Sequence, residues 1–153
     1  RNPFARLVSF YSNKFENRNI SRIYEGARYG FTYLKYDEGF ETLVNKIVTI
    51  PYKWADRHFI PQSELVYDED GKCVVDYIGK FENLPNEYKF FEENYSLPAL
   101  EYHNVKKKEK NWMDYYSVEL VEKVYEYYKK DIELFGYESE YIDLLNYCKS
   151  KIV

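Results

Sequence analysis

The sequence has few cysteines, no long apolar run and none of the short motifs that mark common hydrolases and kinases. Cys73 and Cys148 are its two cysteines, and their wide separation indicates neither a disulfide scaffold nor a cysteine zinc site. No run of about 18 apolar residues occurs, so no transmembrane helix is predicted. Walker A, H-E-x-x-H, G-x-S-x-G and EF-hand patterns are missing, which argues against a P-loop kinase and predicts no bound metal.

Aromatic residues are abundant instead. The chain of 153 residues contains 19 tyrosines and 10 phenylalanines, and its composition is typical of AT-rich coding sequence, so we assign individual aromatics little functional weight. The formal net charge of -4 argues against a dedicated nucleic-acid-binding protein but permits a local basic pocket for a small anion. The length predicts one domain.

Amphipathic periodicity predicts a chain that is mainly helical. Asn2 and Pro3 are favoured at the cap and first position of a helix, and an apolar stripe follows them. Ser117 and Gly136 are predicted to bound the clearest helix. The members of the first stripe are Phe4, Leu7, Val8, Tyr11 and Phe15; further helices are predicted over 40–50, 83–95 and 141–148.

One segment, "KCVVDYIGKFE" (72–82), is rich in β-branched and aromatic residues and is predicted to form a strand. A single strand cannot form a sheet, because its backbone groups need a neighbouring strand. We therefore expect the chain to be part of an α/β fold whose first strands precede Arg1.

Arg1 and Ser9 are the first candidate ligand-binding pair. Arg1 immediately precedes a predicted helix N-terminus, where backbone N–H groups favour anions. Ser9 lies two turns further along, so both side chains can reach one phosphate only on the flank of the helix. Spacing alone leaves open a purely structural role, in which Arg1 forms a salt bridge and Ser9 faces a loop.

Four blocks of sequence, in order, resemble one enzyme family. "RNPFARLVSFY" (1–11) resembles the R-D/N-P-x-x-R-L-x-S-x-Y signature that binds the 3′-phosphate of 3′-phosphoadenosine 5′-phosphosulfate (PAPS) in sulfotransferases. "HFIPQ" (58–62) and "VDYIGKFENL" (75–84) are similar to segments of the chondroitin and dermatan 4-O-sulfotransferases. The fourth block, "NVKKKEKNWMDYYS" (104–117) followed by "YKKDIELFGY" (128–137), resembles the loop and helix that close the same domain. The chain is identified as a member of the PAPS-dependent carbohydrate sulfotransferases, which include bacterial relatives.

This resemblance implies a P-loop-type, three-layer α/β sulfotransferase fold, of which residues 1–153 form a single, N-terminally incomplete domain. It implies PAPS as cofactor, PAP (adenosine 3′,5′-bisphosphate) as product and a carbohydrate hydroxyl as acceptor. The loop that binds the 5′-phosphosulfate is expected before Arg1. The alternative is a truncated or degenerate domain that binds PAP or a partner without catalysis.

The resemblance also assigns roles to single residues. Arg1 and Ser9 are expected to hold the 3′-phosphate, and Arg6 to fix a loop against the first helix by an ion pair. His58 has three readings: a general base, an acceptor-binding residue or a structural histidine. Trp54 and Gln62 are expected beside it as substrate-binding residues.

The densest positive charge lies in the loop before the last helices. Lys106, Lys107 and Lys108, followed by Lys110, are either a solvated surface or a lid that folds over the cofactor. His103, in the same loop, is expected on the surface.

The composition favours a bacterial cytoplasmic setting; the alternative is the Golgi lumen, where the animal members work, with a membrane anchor upstream. Neither nucleic acid nor metal is an expected partner.

Overall fold

Helices dominate the part of the chain that the structure, a computed structural model, describes: residues 1–16, 24–25, 33–34, 38–101 and 110–152. The α-helices are α1 (Pro3–Tyr11), α2 (Gly39–Ile47), α3 (Ser63–Val66), α4 (Leu84–Tyr95), α5 (Val118–Phe135) and α6 (Glu138–Ser150). A π-helical turn, Ser12–Glu16, extends α1, and 3-10 turns span Tyr52–Trp54, Phe81–Asn83 and Trp112–Tyr115. Two short strands, β1 (Tyr24–Glu25) and β2 (Tyr33–Leu34), pair in antiparallel orientation.

The predicted helix boundaries are confirmed where capping residues define them. The Asn2 side chain accepts hydrogen bonds from the backbone nitrogens of Phe4 and Ala5, at 2.9 and 3.4 Å, and so begins α1. Ser117 caps α5 in the same way. Gly136 ends α5 with φ 63°, a left-handed conformation that glycine adopts at low cost.

The core lies between α1, α2, α5 and α6. Each large apolar side chain fully buried there stabilises the fold by about 1.5–3 kcal/mol. The first predicted stripe needs one correction: Phe10 is buried, whereas Tyr11 is half-buried, because residues 58 and 59 pack against a second face of α1. Side chains that are completely buried include Phe4, Val44, Ile47, Phe59, Val121, Val124, Ile132 and Leu144.

The predicted strand over 72–82 is wrong. Cys73 forms an isolated bridge with Tyr67, and the residues that follow it up to position 80 are not in a strand. Val74 and Ile78 are 58% and 44% exposed. A strand requires a neighbour along its length for its backbone hydrogen bonds, and among the described residues the pairing of this segment does not extend beyond the single bridge at Cys73.

The sheet of the predicted α/β fold is not seen in the described residues, whose one sheet is the β1–β2 pair. The three-layer architecture therefore stays a prediction. The helix predicted over 83–95 is confirmed as α4, which buries none of its side chains and ends at Ser96 with a left-handed φ of 52°.

Candidate functional site

Arg1 and Ser9, which the sequence predicts as a pair, lie together in the structure. A guanidinium nitrogen of Arg1 donates to Ser9 Oγ at 3.2 Å, so the charge lies along the flank of α1. The Phe81 ring covers the guanidinium, with 4.6 Å between the guanidinium carbon and the ring centre. Partial burial lowers the pKa of Arg1, and nearby Glu82 opposes that shift. The result is a partly desolvated cation beside a hydroxyl, which is suited to an anion.

The tip of α1 is already occupied by protein groups. Asn2 Oδ1 accepts from the first free N–H groups of the helix, and Pro3 has no N–H to offer. The backbone nitrogen of Asn2 donates to Glu82 Oε1 at 2.7 Å. These contacts leave the flank of α1, rather than its tip, as the place for an external anion.

The Gln62 side chain forms hydrogen bonds with both the backbone nitrogen and the carbonyl of Arg1. Its Oε1 accepts from the backbone nitrogen of Arg1 at 3.0 Å, and its Nε2 donates to the Arg1 carbonyl at 2.7 Å. Gln62 is in turn fixed by Asp131 of α5, whose buried carboxylate accepts from the backbone nitrogens of Gln62 and Ser63 at 2.6 and 2.8 Å. Gln62 therefore belongs to the Arg1 side of the molecule.

Arg6 fixes a loop against α1, as predicted, but by a different contact. Its guanidinium donates to the carbonyls of Ile60 and Arg57 at 2.7 and 2.9 Å, where we expected an ion pair. Burial lowers the pKa of Arg6. These two bonds position the loop that carries His58.

His58 forms a pair with Asp56, a residue that the sequence reading missed. Asp56 Oδ1 lies 2.5 Å from His58 Nδ1 and also accepts from the His58 backbone nitrogen at 2.9 Å. The imidazole stacks on Phe10, with 5.5 Å between ring centres. The spacing in the sequence could have predicted this pair, because an aspartate two residues before a histidine can form a short Asx turn that brings the two side chains together.

The predicted grouping of Trp54, His58 and Gln62 does not appear in the contacts described. The hydrogen bonds of Gln62 go to Arg1 and Asp131. Trp54 is half-buried in its 3-10 turn and packs against the core, with Lys53 Nζ 5.3 Å from its ring centre.

A pocket of about 340 Å³ opens beside Arg1. Lys80 extends along it, with Nζ 4.8 Å from the ring centre of Tyr137 and 3.1 Å from the Gly136 carbonyl that it donates to. Two cations on a wall that is otherwise mainly apolar suit an organic anion with a flat, apolar part. The remaining lining residues are Gln62, Val66, Tyr67, Ile78, Gly79, Leu134 and Phe135.

Three lysines of the predicted lid, Lys106, Lys107 and Lys108, lie outside the described residues, as does His103. Lys110 is described and lies with Nζ 4.2 Å from the ring centre of Tyr115. Among the described helices, none combines the length and the apolar character that crossing a membrane requires.

Comparison with known proteins gives one match, to a family model. The model of the sulfotransferase family matches residues 1–138, which include the Arg1–Ser9 pair, the His58 loop and Tyr137. No curated protein and no solved structure matches the chain. Because the family model covers nearly the whole chain, the protein belongs to the sulfotransferase family.

Proposed function

We propose that the protein transfers a sulfuryl group from PAPS to a hydroxyl of a carbohydrate. The observation that carries the donor assignment is the Arg1–Ser9 contact of 3.2 Å on the flank of α1. A guanidinium and a hydroxyl at this separation can both donate to the oxygens of one phosphate, which suits the 3′-phosphate of the donor.

The adjoining pocket supports the same donor. Its mainly apolar wall and its two cations, Arg1 and Lys80, fit a ligand that combines a flat ring with phosphate groups. The bound donor supplies an activated sulfur–oxygen bond. Arg1 and Ser9 hold the phosphate that does not react, so their binding energy positions the reacting end.

His58 is assigned to the acceptor side. The acceptor oxygen attacks sulfur, the bond from sulfur to the 5′-phosphate oxygen breaks, and the hydroxyl proton leaves to a base; the products are a sulfate ester and PAP. Asp56 fixes the imidazole through Nδ1, and the ring is supported by Phe10. An imidazole held in this way can orient a sugar hydroxyl by a hydrogen bond.

Direct assay tests this function. The full-length protein is incubated with PAPS that carries labelled sulfate and with a panel of polysaccharides, and transfer of label to the polysaccharide is followed together with PAP release. Transfer to one or more acceptors supports the proposal. Selective binding of PAP without transfer to any acceptor would support the non-catalytic alternative, and absence of PAP binding would contradict transfer from PAPS.

A further inference from the structure

We propose that Glu82 is a positioning residue of the Arg1–Ser9 site, whose carboxylate fixes the backbone at Asn2 and thereby the direction of the Arg1 guanidinium. This inference rests on the proposed function, since it concerns how the 3′-phosphate is bound. The sequence pattern around Glu82 is typical of an ordinary turn, and in the structure Glu82 lies in the 3-10 turn Phe81–Asn83.

The geometry provides one donor for each carboxylate oxygen. Oε1 of Glu82 accepts from the backbone nitrogen of Asn2 at 2.7 Å, and Oε2 accepts from the Tyr137 hydroxyl at 3.0 Å. Glu82 thus connects the start of α1 to the end of α5. The hydrogen bonds from Asn2 and Tyr137 outweigh the effect of partial burial, so the pKa of Glu82 lies below its ordinary value and the group is ionised at neutral pH.

The contacts around Arg1 explain why this anchor acts on the guanidinium. Gln62 holds the nitrogen and carbonyl of Arg1, and Glu82 holds the next backbone nitrogen in the chain. Phe81, the neighbour of Glu82, packs on the guanidinium itself. The turn Phe81–Asn83 therefore holds both the backbone that follows Arg1 and the Arg1 side chain. Precise placement of such a group decides whether its hydrogen bonds reach the ligand.

The charge of Glu82 and its role as an anchor are expected to have opposite effects on phosphate binding. A carboxylate near a phosphate site repels the phosphate, so as a charge alone it would weaken binding. As an anchor it strengthens binding, because it keeps Arg1 aligned. Glu82→Gln removes the charge but keeps an oxygen that can accept from Asn2, whereas Glu82→Ala removes both.

The test measures affinity for PAP and for adenosine 5′-monophosphate (AMP), which lacks the 3′-phosphate, by calorimetric titration of the full-length protein. We expect Glu82→Ala to lower the ratio of PAP to AMP affinity by about tenfold, the effect of losing one charged hydrogen bond from a misaligned Arg1 to the 3′-phosphate. Glu82→Gln should keep that ratio at or above the wild-type value. Glu93→Gln, an exposed carboxylate of α4, is the matched control for charge and should leave the ratio unchanged.

A Glu82→Ala protein with the wild-type ratio, or with a ratio that rises as in Glu82→Gln, would overturn the positioning role. If Glu82→Ala does not fold, Tyr137→Phe removes one of the two anchors and keeps the ring; its ratio should fall, and an unchanged ratio would overturn the role equally. Equal affinity of the wild-type protein for PAP and AMP would instead overturn the 3′-phosphate assignment, and the role of Glu82 with it.

Discussion

The Arg1 guanidinium brings the positive charge of the candidate site to Ser9, so the two side chains should contribute unequally to phosphate binding. Arg1→Ala removes a charged contact worth roughly 1.5–3 kcal/mol, and Ser9→Ala a neutral one worth roughly 0.5–1.5 kcal/mol. We expect PAP affinity to fall by about tenfold or more for Arg1→Ala and by less for Ser9→Ala. Calorimetric titration measures both losses.

AMP serves as the reference ligand for this pair, because its affinity should change little in either variant. Arg57→Ala is the matched control, since that side chain is exposed. Equal losses of PAP and AMP affinity in Arg1→Ala would show that Arg1 does not recognise the 3′-phosphate.

His58 should act on the acceptor. We expect His58→Ala to raise the KM for the acceptor with a smaller change in kcat, because a hydrogen bond that orients the substrate is lost. Asp56→Asn should change the acceptor KM in the same direction, since Asp56 fixes the imidazole. Initial rates at saturating PAPS and varied acceptor measure both constants.

Two other kinetic outcomes for His58→Ala would change the role assigned to His58. A fall in kcat of about 10²–10⁴-fold with little change in PAP affinity would make it the general base. Wild-type acceptor kinetics would remove it from the site.

Gln62→Ala, which the sequence groups with His58, should instead weaken PAP binding, because the structure places Gln62 against the Arg1 backbone.

At the scale of elements, the short helix α3 depends on α5. The Asp131 carboxylate is fully buried and accepts both backbone nitrogens at the start of α3, from Gln62 and Ser63. Asp131→Ala leaves those two donors without a partner, so we expect the free energy of unfolding to fall by about 3 kcal/mol or more. Urea denaturation measures the loss.

PAP affinity should fall in the same Asp131→Ala variant under conditions where it is folded, because Gln62 loses its support. Asp143→Ala, an exposed carboxylate of α6, should change neither quantity. A stable Asp131→Ala protein with wild-type PAP affinity would contradict the coupling between α5 and the Arg1 site.

For the whole molecule, buried tyrosines should set the alkaline limit of stability. Burial raises the pKa of Tyr116 and Tyr128 well above the ordinary value, and raises that of Tyr127 as well. In the unfolded chain these groups lose a proton near pH 10, whereas in the folded protein they keep it. Stability should therefore be unaffected below about pH 10 and should decrease as the pH rises above it.

Two signals recorded together check this limit. The absorbance of tyrosinate should rise in two phases, exposed tyrosines first, and the second phase should coincide with the loss of helical circular dichroism. Tyr128→Phe removes one buried hydroxyl and its hydrogen bond to the Phe59 carbonyl, and should shrink the second phase. Titration of all tyrosines in a single phase, with the helices intact, would contradict the assignment.

Local sequence was enough to predict the longer helices, and the family signature was enough to predict that Arg1 and Ser9 form a pair. Helix capping acts over three or four residues, so Asn2, Ser117 and Gly136 marked boundaries that the structure confirms. Arg1 and Ser9 lie on one flank because their spacing of eight residues is close to two helical turns. The signature that contains this pair is local as well, since it lies within residues 1–11, whereas identification of the family used three further blocks of sequence.

The tertiary structure alone decided which distant groups support that pair. Gln62 and Glu82 meet the start of α1 from positions 61 and 80 residues away, and Asp131 reaches Gln62 from α5. No periodicity in the sequence encodes these contacts, because they depend on how α1, α3 and α5 pack. The predicted strand over 72–82 failed for a related reason: strand propensity is local, but the hydrogen bonds that make a strand belong to a neighbour elsewhere in the chain.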